Sequence, residues 1–150
     1  MAITSAICSS FKQELLQGKH NFSSSSGDSF KIALFTSSAT LNATTTDYST
    51  SNEISNTSGS AYSAGGKALT NTGVGLTSTT AFTDFSDVSW TTASFTANGA
   101  LIYNTTTGSA TGTTDAICAI AFGGDKTVSS GTFTIQFPTN DSSSAILRLA

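Results

Sequence analysis

Apolar residues along most of the chain form short runs separated by polar and glycine-containing segments, a pattern typical of β-strands joined by turns. The run 131–137, GTFTIQF, alternates strictly, so its Phe and Ile side chains share one face and its Thr and Gln side chains share the other. The run 116–122, AICAIAF, is apolar at every position, which predicts a central strand covered on both faces, or one half-covered by the helix or by a neighbouring subunit. The predicted strands are 29–36, 66–76, 79–85, 94–104, 115–122, 131–137 and 145–149.

The first 20 residues follow a helical period instead. One apolar residue recurs at every fourth position, which would place these residues on one face of an α-helix. They are Ile3, Ile7, Phe11 and Leu15. Gly18 is placed to end this helix in the left-handed conformation. The apolar stripe can either cover the sandwich within the chain or form an interface with a partner, and both interpretations remain open.

Together these elements predict one domain over residues 1–150: an all-β antiparallel β-sandwich of about seven to eight strands, with one short N-terminal α-helix within residues 1–20. The sandwich occupies 29–150 and contains a long polar loop at about 36–66, and connections of that length are often functional. Tyr48 and Tyr62 fall in this loop, and we predict them as interface residues.

The link between the two longest apolar runs, residues 104–115, contains Thr, Gly, Ser, Ala, one Asn and one Asp. It is longer than a simple hairpin turn requires. Because it carries little reactive chemistry, we predict a contact loop.

Composition narrows the possible functions. Serine and threonine, with 26 and 27 residues, make up about a third of the chain, whereas charged residues make up only 10%. Such low charge, combined with ten phenylalanines, argues against disorder. The net charge is −3 and the six Lys and Arg residues are scattered, so no nucleic-acid-binding surface is predicted.

No apolar run approaches the ~20 residues that a membrane-spanning helix needs. The N-terminus lacks the basic segment of a secretory signal, so synthesis in the cytoplasm is expected.

The reactive side chains form no recognisable catalytic or metal-binding motif, and we predict neither a catalytic site nor a cofactor. His20, the single histidine, follows the predicted helix, where a solvated position is expected. Cys8 and Cys118 are predicted as buried free thiols rather than a disulfide. Asp84 and Asp87 could bind calcium, but their spacing favours a turn in which they accept local backbone N–H groups.

The order of motifs along nearly the whole chain resembles a family of small virion proteins from tailed bacteriophages, including phages of marine and freshwater bacteria. The segments that carry the resemblance are FKQELLQGKHNF (11–22), KIALFTSSATL (31–41), YSAGGKAL (62–69), AFTDFSDVSW (81–90), ANGALIYN (97–104), ICAIAFGGDK (117–126) and GTFTIQFPT (131–139).

The resemblance implies a non-catalytic virion structural protein, similar to capsid decoration or cement proteins, which bind the outside of the head lattice and stabilise it. The implied partner is the major capsid protein, and we expect a symmetric homo-oligomer, with a trimer preferred, on the virion surface. Two alternatives remain open. One is a tail-tube, tail-tip or neck component, and the other is a carbohydrate-binding β-sandwich that attaches to host glycans.

Overall fold

A computed structural model describes residues 2–55, 59–106 and 113–150. It contains two antiparallel sheets and one short helix, which confirms the predicted all-β sandwich. In chain order the elements are β1 (Ala6–Ile7), α1 (Ser9–Leu16), β2 (Phe30–Phe35), β3 (Lys67–Ala68), β4 (Asn71–Thr77), β5 (Thr80–Phe85), β6 (Val88–Asn104), β7 (Ala116–Ile135) and β8 (Leu147–Leu149).

The larger sheet has the order β1-β7-β6-β2-β3 and the smaller one β4-β5-β8. A long hairpin of β6 and β7 dominates the larger sheet, pairing from Tyr103 with Ala116 to Val88 with Ile135. The two strands predicted at 115–122 and 131–137 are therefore one strand. The intervening GGDKTVSS stays in the ladder because register shifts along the β6–β7 pair absorb its irregular residues.

The N-terminal helix is shorter than predicted. It covers only Ser9–Leu16, and Gly18 follows its end with a φ of +71°, as the sequence indicated. Ile3 and Ile7 are not helical: Ile3 forms a parallel bridge with Leu41, and Ile7 lies in β1 opposite Cys118. The prediction of a four-residue helical stripe was wrong because extended pairing of residues 3–7 with neighbouring segments satisfies their backbone groups.

Aromatic side chains join the two sheets at one end of the sandwich. Phe22 stacks on Phe30 of β2, with ring centroids 4.6 Å apart and planes 4° from parallel. Phe85 of β5 contacts both rings, at centroid distances of 6.3 Å and 5.6 Å. All three side chains are buried, so this contact fixes the smaller sheet against the larger one.

The predicted loop 36–66 contains no helix or multi-residue strand in its described parts, 36–55 and 59–66. It is nevertheless held to β2, because the Ile54 N–H donates to the Leu34 carbonyl at 3.0 Å. Of the link 104–115, residues 107–112 lie outside the described residues, and the contact-loop prediction for them stays a prediction.

Two adjacent glycines lie at the end of this loop, and only the second one packs closely against the backbone of β2. Gly65 and Gly66 have φ values of +92° and +77°. A Cβ on Gly66 would lie 1.9 Å from the Ile32 carbonyl oxygen, whereas a Cβ on Gly65 would meet nothing closer than the Tyr103 hydroxyl at 3.4 Å. The close approach of Gly66 lets β3 pair with β2.

We expect Gly66→Ala to destabilise the protein much more than Gly65→Ala. Both substitutions place alanine at positive φ, at a cost of about 1–2 kcal/mol. Only Gly66→Ala adds a collision with the β2 backbone, for a total loss above about 3 kcal/mol. Urea unfolding of both variants measures the difference, and equal losses would contradict this account of the β2–β3 contact.

Candidate functional site: an apolar groove at the open end of the sandwich

The inner face of the smaller sheet is covered at only one end. Ala81, Thr83 and Phe85 alternate along β5 and so share a face, and Phe85 is the residue packed against the larger sheet. The β4 and β8 partners of Ala81 and Thr83 lie on that same face, because directly paired residues do. These partners are Leu76, Leu149, Val74 and Leu147.

On this face Thr83 and Leu147 are buried, whereas the large apolar residues toward the other end are exposed. Val74, Leu76 and Leu149 are 61%, 71% and 60% exposed, and Leu16 at the end of α1 is 92% exposed. They are the four large apolar side chains classed as exposed within the described ranges. Their concentration in one region marks a candidate interaction surface, since isolated exposed apolar residues need no explanation but a contiguous patch does.

A groove of about 670 Å³ runs between α1 and this sheet face. Its lining is overwhelmingly apolar, with Phe11, Leu15 and Leu16 on the helix side and β4, β5 and β8 on the other. Two cations, Lys12 and Arg148, also line it, and no carboxylate is among its described lining residues. The charged residues that line this apolar groove are therefore positive, although the net charge of the chain is −3.

Three of the six predicted interface residues meet at the groove: Ile7, Phe11 and Leu15 all line it. Ile3 lies elsewhere, against Gly99, where a Cβ would come within 2.7 Å of its side chain. That these residues bind a partner stays a prediction. The exposed residues of β4 and β8 were missed, because alternating apolar positions in a strand normally indicate core and the sequence does not reveal which part of a sheet face is covered.

Tyr48 and Tyr62, predicted as interface residues, are engaged inside the protein. Both hydroxyls donate to the Glu53 carboxylate at 2.6 Å, one to each oxygen, and the Gly65 N–H donates to the same carboxylate at 2.8 Å. Tyr62 is 1% exposed, and half-buried Tyr48 stacks on Tyr103 with centroids 4.4 Å apart. Tyr62 thus offers no exposed surface, because its ring packs in the core and its hydroxyl reaches Glu53.

Burial and the nearby Glu53 carboxylate together make all three tyrosines hard to ionise. Burial, followed by the hydrogen bond to Glu53, raises the pKa of Tyr48 and of Tyr62 above the usual range. Burial, followed by the charge of Glu53, raises the pKa of Tyr103 to about 12.

We therefore expect almost no tyrosinate absorbance from the folded protein at pH values where the unfolded chain titrates, near pH 10. Because the folded pKa values lie above the unfolded ones, this contribution to stability is complete below about pH 10 and is lost as the pH rises toward and beyond 12. A spectrophotometric titration with and without denaturing urea measures both states. Folded protein that titrates like the unfolded chain would contradict the internal network.

His20 is buried rather than solvated, which corrects the sequence-based expectation. Its Nε2 lies 2.8 Å from Glu14 Oε2 and its Nδ1 lies 2.9 Å from Asn104 Nδ2. The Asn104 Nδ2 group can only donate, so His20 Nδ1 accepts and the Nε2–H donates to Glu14. The same amide donates to Asp28 Oδ2 at 2.8 Å. Both ring nitrogens are thus used internally, and neither is free to act as a base toward the groove.

We expect Asn104→Leu to cost roughly 2–4 kcal/mol, because it removes the hydrogen-bond partner of the His20 ring and one partner of Asp28 in a buried site. Asn98→Leu is the matched control, since the Asn98 amide donates to Asp125 at the surface and its loss should cost less than about 1 kcal/mol. Urea unfolding compares the two variants, and comparable losses would mean that the buried network does not stabilise the fold.

Asp84 and Asp87 accept backbone N–H groups, but the predicted local turn was wrong for Asp84, which lies within β5, and two of the three donors come from distant segments. Asp84 is fully buried and accepts from Phe85 at 2.8 Å and from Ile146 at 3.1 Å, which ties β5 to the segment before β8. Burial raises the pKa of Asp84, against the opposing effect of these two bonds. Asp87 accepts from the Phe137 N–H at 2.8 Å. Across the described residues, no group of His, Cys, Asp and Glu is arranged to hold a metal ion.

Both cysteines are free and buried, as predicted. Burial is the main cause that raises the pKa of Cys8 to about 11 and that of Cys118 to about 12. Since the thiolate is the nucleophilic form, neither thiol is activated for chemistry near neutral pH.

Comparison with protein-family models, curated proteins and solved structures found no match to this chain. Within the described residues, the structure has no helix that is long and apolar enough to cross a membrane.

Proposed function

We propose that this protein is a non-catalytic structural component of a tailed-bacteriophage virion, and that it acts as a decoration or cement protein on the outside of the head lattice. The observation that carries the proposal is the apolar groove, which leaves Leu16, Val74 and Leu149 exposed on a folded sandwich. Exposed apolar surface of this kind is typical of a binding face. The order of sequence motifs supplies the phage context.

The polar groups of the molecule support a structural role. Glu14, His20, Glu53 and Asp84 are all engaged in hydrogen bonds within the chain that hold loops and strands together. With charged residues at only 10% of the chain, copies can pack closely on a particle with little mutual repulsion.

We propose the major capsid protein as the partner and a symmetric homo-oligomer, with a trimer preferred, as the working state. The outer edge of β7 is available for self-association. Beyond Ala119, no strand in the described part of the chain pairs with this edge, although β7 continues to Ile135. An unpaired strand edge supplies backbone donors and acceptors for a second copy.

The two other functions receive different support. A tail-tube, tail-tip or neck component would use the same fold and groove, so location in the particle separates it from a head protein. The prediction of a glycan-binding module requires Tyr48 and Tyr62 to form an exposed surface for a sugar, but both hydroxyls donate to Glu53. A platform of exposed aromatic rings therefore has less support than a structural role.

Quantification of this protein in purified virions tests the proposal. We expect a copy number on the scale of the major capsid protein, measured by mass spectrometry of the same particles, because a decoration protein follows the head lattice. A single ring of copies would favour the tail or neck, and absence from purified virions would overturn the proposal.

A further inference from the structure

The groove lies where apolar side chains on the inner face of the smaller sheet have no second layer packed against them in the described part of the chain. Phe85 at one end of the inner sheet face is buried by Phe22 and Phe30, whereas Val74 and Leu149 on the same face are mostly exposed. Apolar side chains on the inner face of a sandwich normally pack against a second layer. Here α1 supplies only the far wall of the groove, and an additional segment is needed to complete the layer.

The exposed surface is wider than a small amphiphile would cover. Leu76 continues the row beyond the groove lining, since it pairs with Ala81 next to Leu149, and Leu16 is 92% exposed at the opposite rim. A small apolar molecule seated in the cavity could contact Leu16, which lines it, but would leave Leu76 in water. A polypeptide segment that runs along the groove can cover both.

The charges of the rim argue against a second copy of this chain in the groove. Lys12 and Arg148 are both exposed and line the groove, with no carboxylate among its described lining residues. The Arg148 guanidinium also donates to the Ser143 carbonyl within the chain and interacts with Asp141, so Lys12 is the cation more available to a partner. A two-fold pairing of groove against groove would bring these cations together. A segment with carboxylates next to its apolar residues complements them instead.

The sheet edge beside the groove suits an extended segment. β8 ends the order β4-β5-β8, so no strand in the described structure pairs with its outer edge. A second cavity of about 470 Å³ is lined by Ile7 of β1 and by residues in and around β8, and Ile7 and Arg148 line both cavities. A strand added to β8 gains backbone hydrogen bonds and can direct alternate side chains into the groove.

We propose that the groove binds an extended segment of another polypeptide, which carries alternating apolar side chains flanked by carboxylates and adds as a strand to β8. The inference gives the chemistry of the partner, and it rests on the proposed function only for the identity of the polypeptide that carries the segment.

The first test uses fluorescence anisotropy with two labelled peptides. Both alternate Val and Thr, and one has Glu at each end whereas the other has Lys. We expect the Glu peptide to bind the wild-type protein at least about tenfold more tightly than the Lys peptide. Lys12→Glu should remove or reverse this preference, because Lys12 is exposed and lines the groove. Lys126→Glu, which makes the same charge change on exposed β7 away from the groove, should leave it unchanged.

Two further arms test the apolar contact and the strand addition. Leu149→Glu should abolish binding of the Glu peptide, and thermal unfolding of this variant checks that it folds, which is expected because Leu149 is exposed. A Glu peptide with N-methyl groups on alternate residues along one edge should bind if methylated on the edge away from β8 and fail if methylated on the edge toward it.

Several results would overturn the inference: neither peptide binds, both bind equally, or both methylated forms bind alike. Tighter binding of dodecanoate than of the Glu peptide would assign the groove to a small amphiphile. Dimerisation in analytical ultracentrifugation that Leu149→Glu removes would assign it to a second copy. These binding measurements need no virion. If the protein binds the peptide but is absent from purified particles, the proposed function is wrong and this inference still holds.

Discussion

The contact of Phe22, Phe30 and Phe85 determines how the sandwich closes. It joins the two sheets through buried rings at one end of the inner face, and it leaves the other end of the smaller sheet without a covering layer. Helix α1 then stands opposite this uncovered end instead of packing on it, because residues before Ser9 are held in extended pairing. The groove follows from these two constraints together.

Hydrogen bonds of polar side chains connect the loops of the molecule to each other and to the strands. The Glu53 carboxylate gathers two tyrosine hydroxyls and one backbone N–H of the long loop, and the Tyr62 hydroxyl also accepts from the Leu34 N–H of β2 at 2.9 Å. Asn104 likewise joins the His20 ring to Asp28 across distant parts of the chain. These buried groups are satisfied within the protein, so the chain can use few charged residues and still specify a single fold. The groove, in contrast, is lined mainly by apolar residues, with Lys12 and Arg148 among them.

The sequence predicted what depends on local pattern and missed what depends on long-range pairing. The alternation of 131–137 and the apolar run 116–122 correctly indicated strands, but not that GGDKTVSS between them continues the ladder, because the partner residues of β6 decide that. The four-residue spacing of Ile3 and Ile7 suggested a helix, although β7 and the segment at Leu41 pair with them. His20 gave no local signal of burial, since Glu14 and Asn104 become its neighbours only in the fold.

The central claim is that the open end of the sandwich is a contact surface of a virion protein. A reconstruction of the purified phage particle at side-chain resolution tests it most directly. The account predicts this protein on the head, with a segment of a neighbouring polypeptide against Val74 and Leu149 and a carboxylate next to Lys12. A particle in which this groove faces solvent, or from which the protein is absent, would contradict the account.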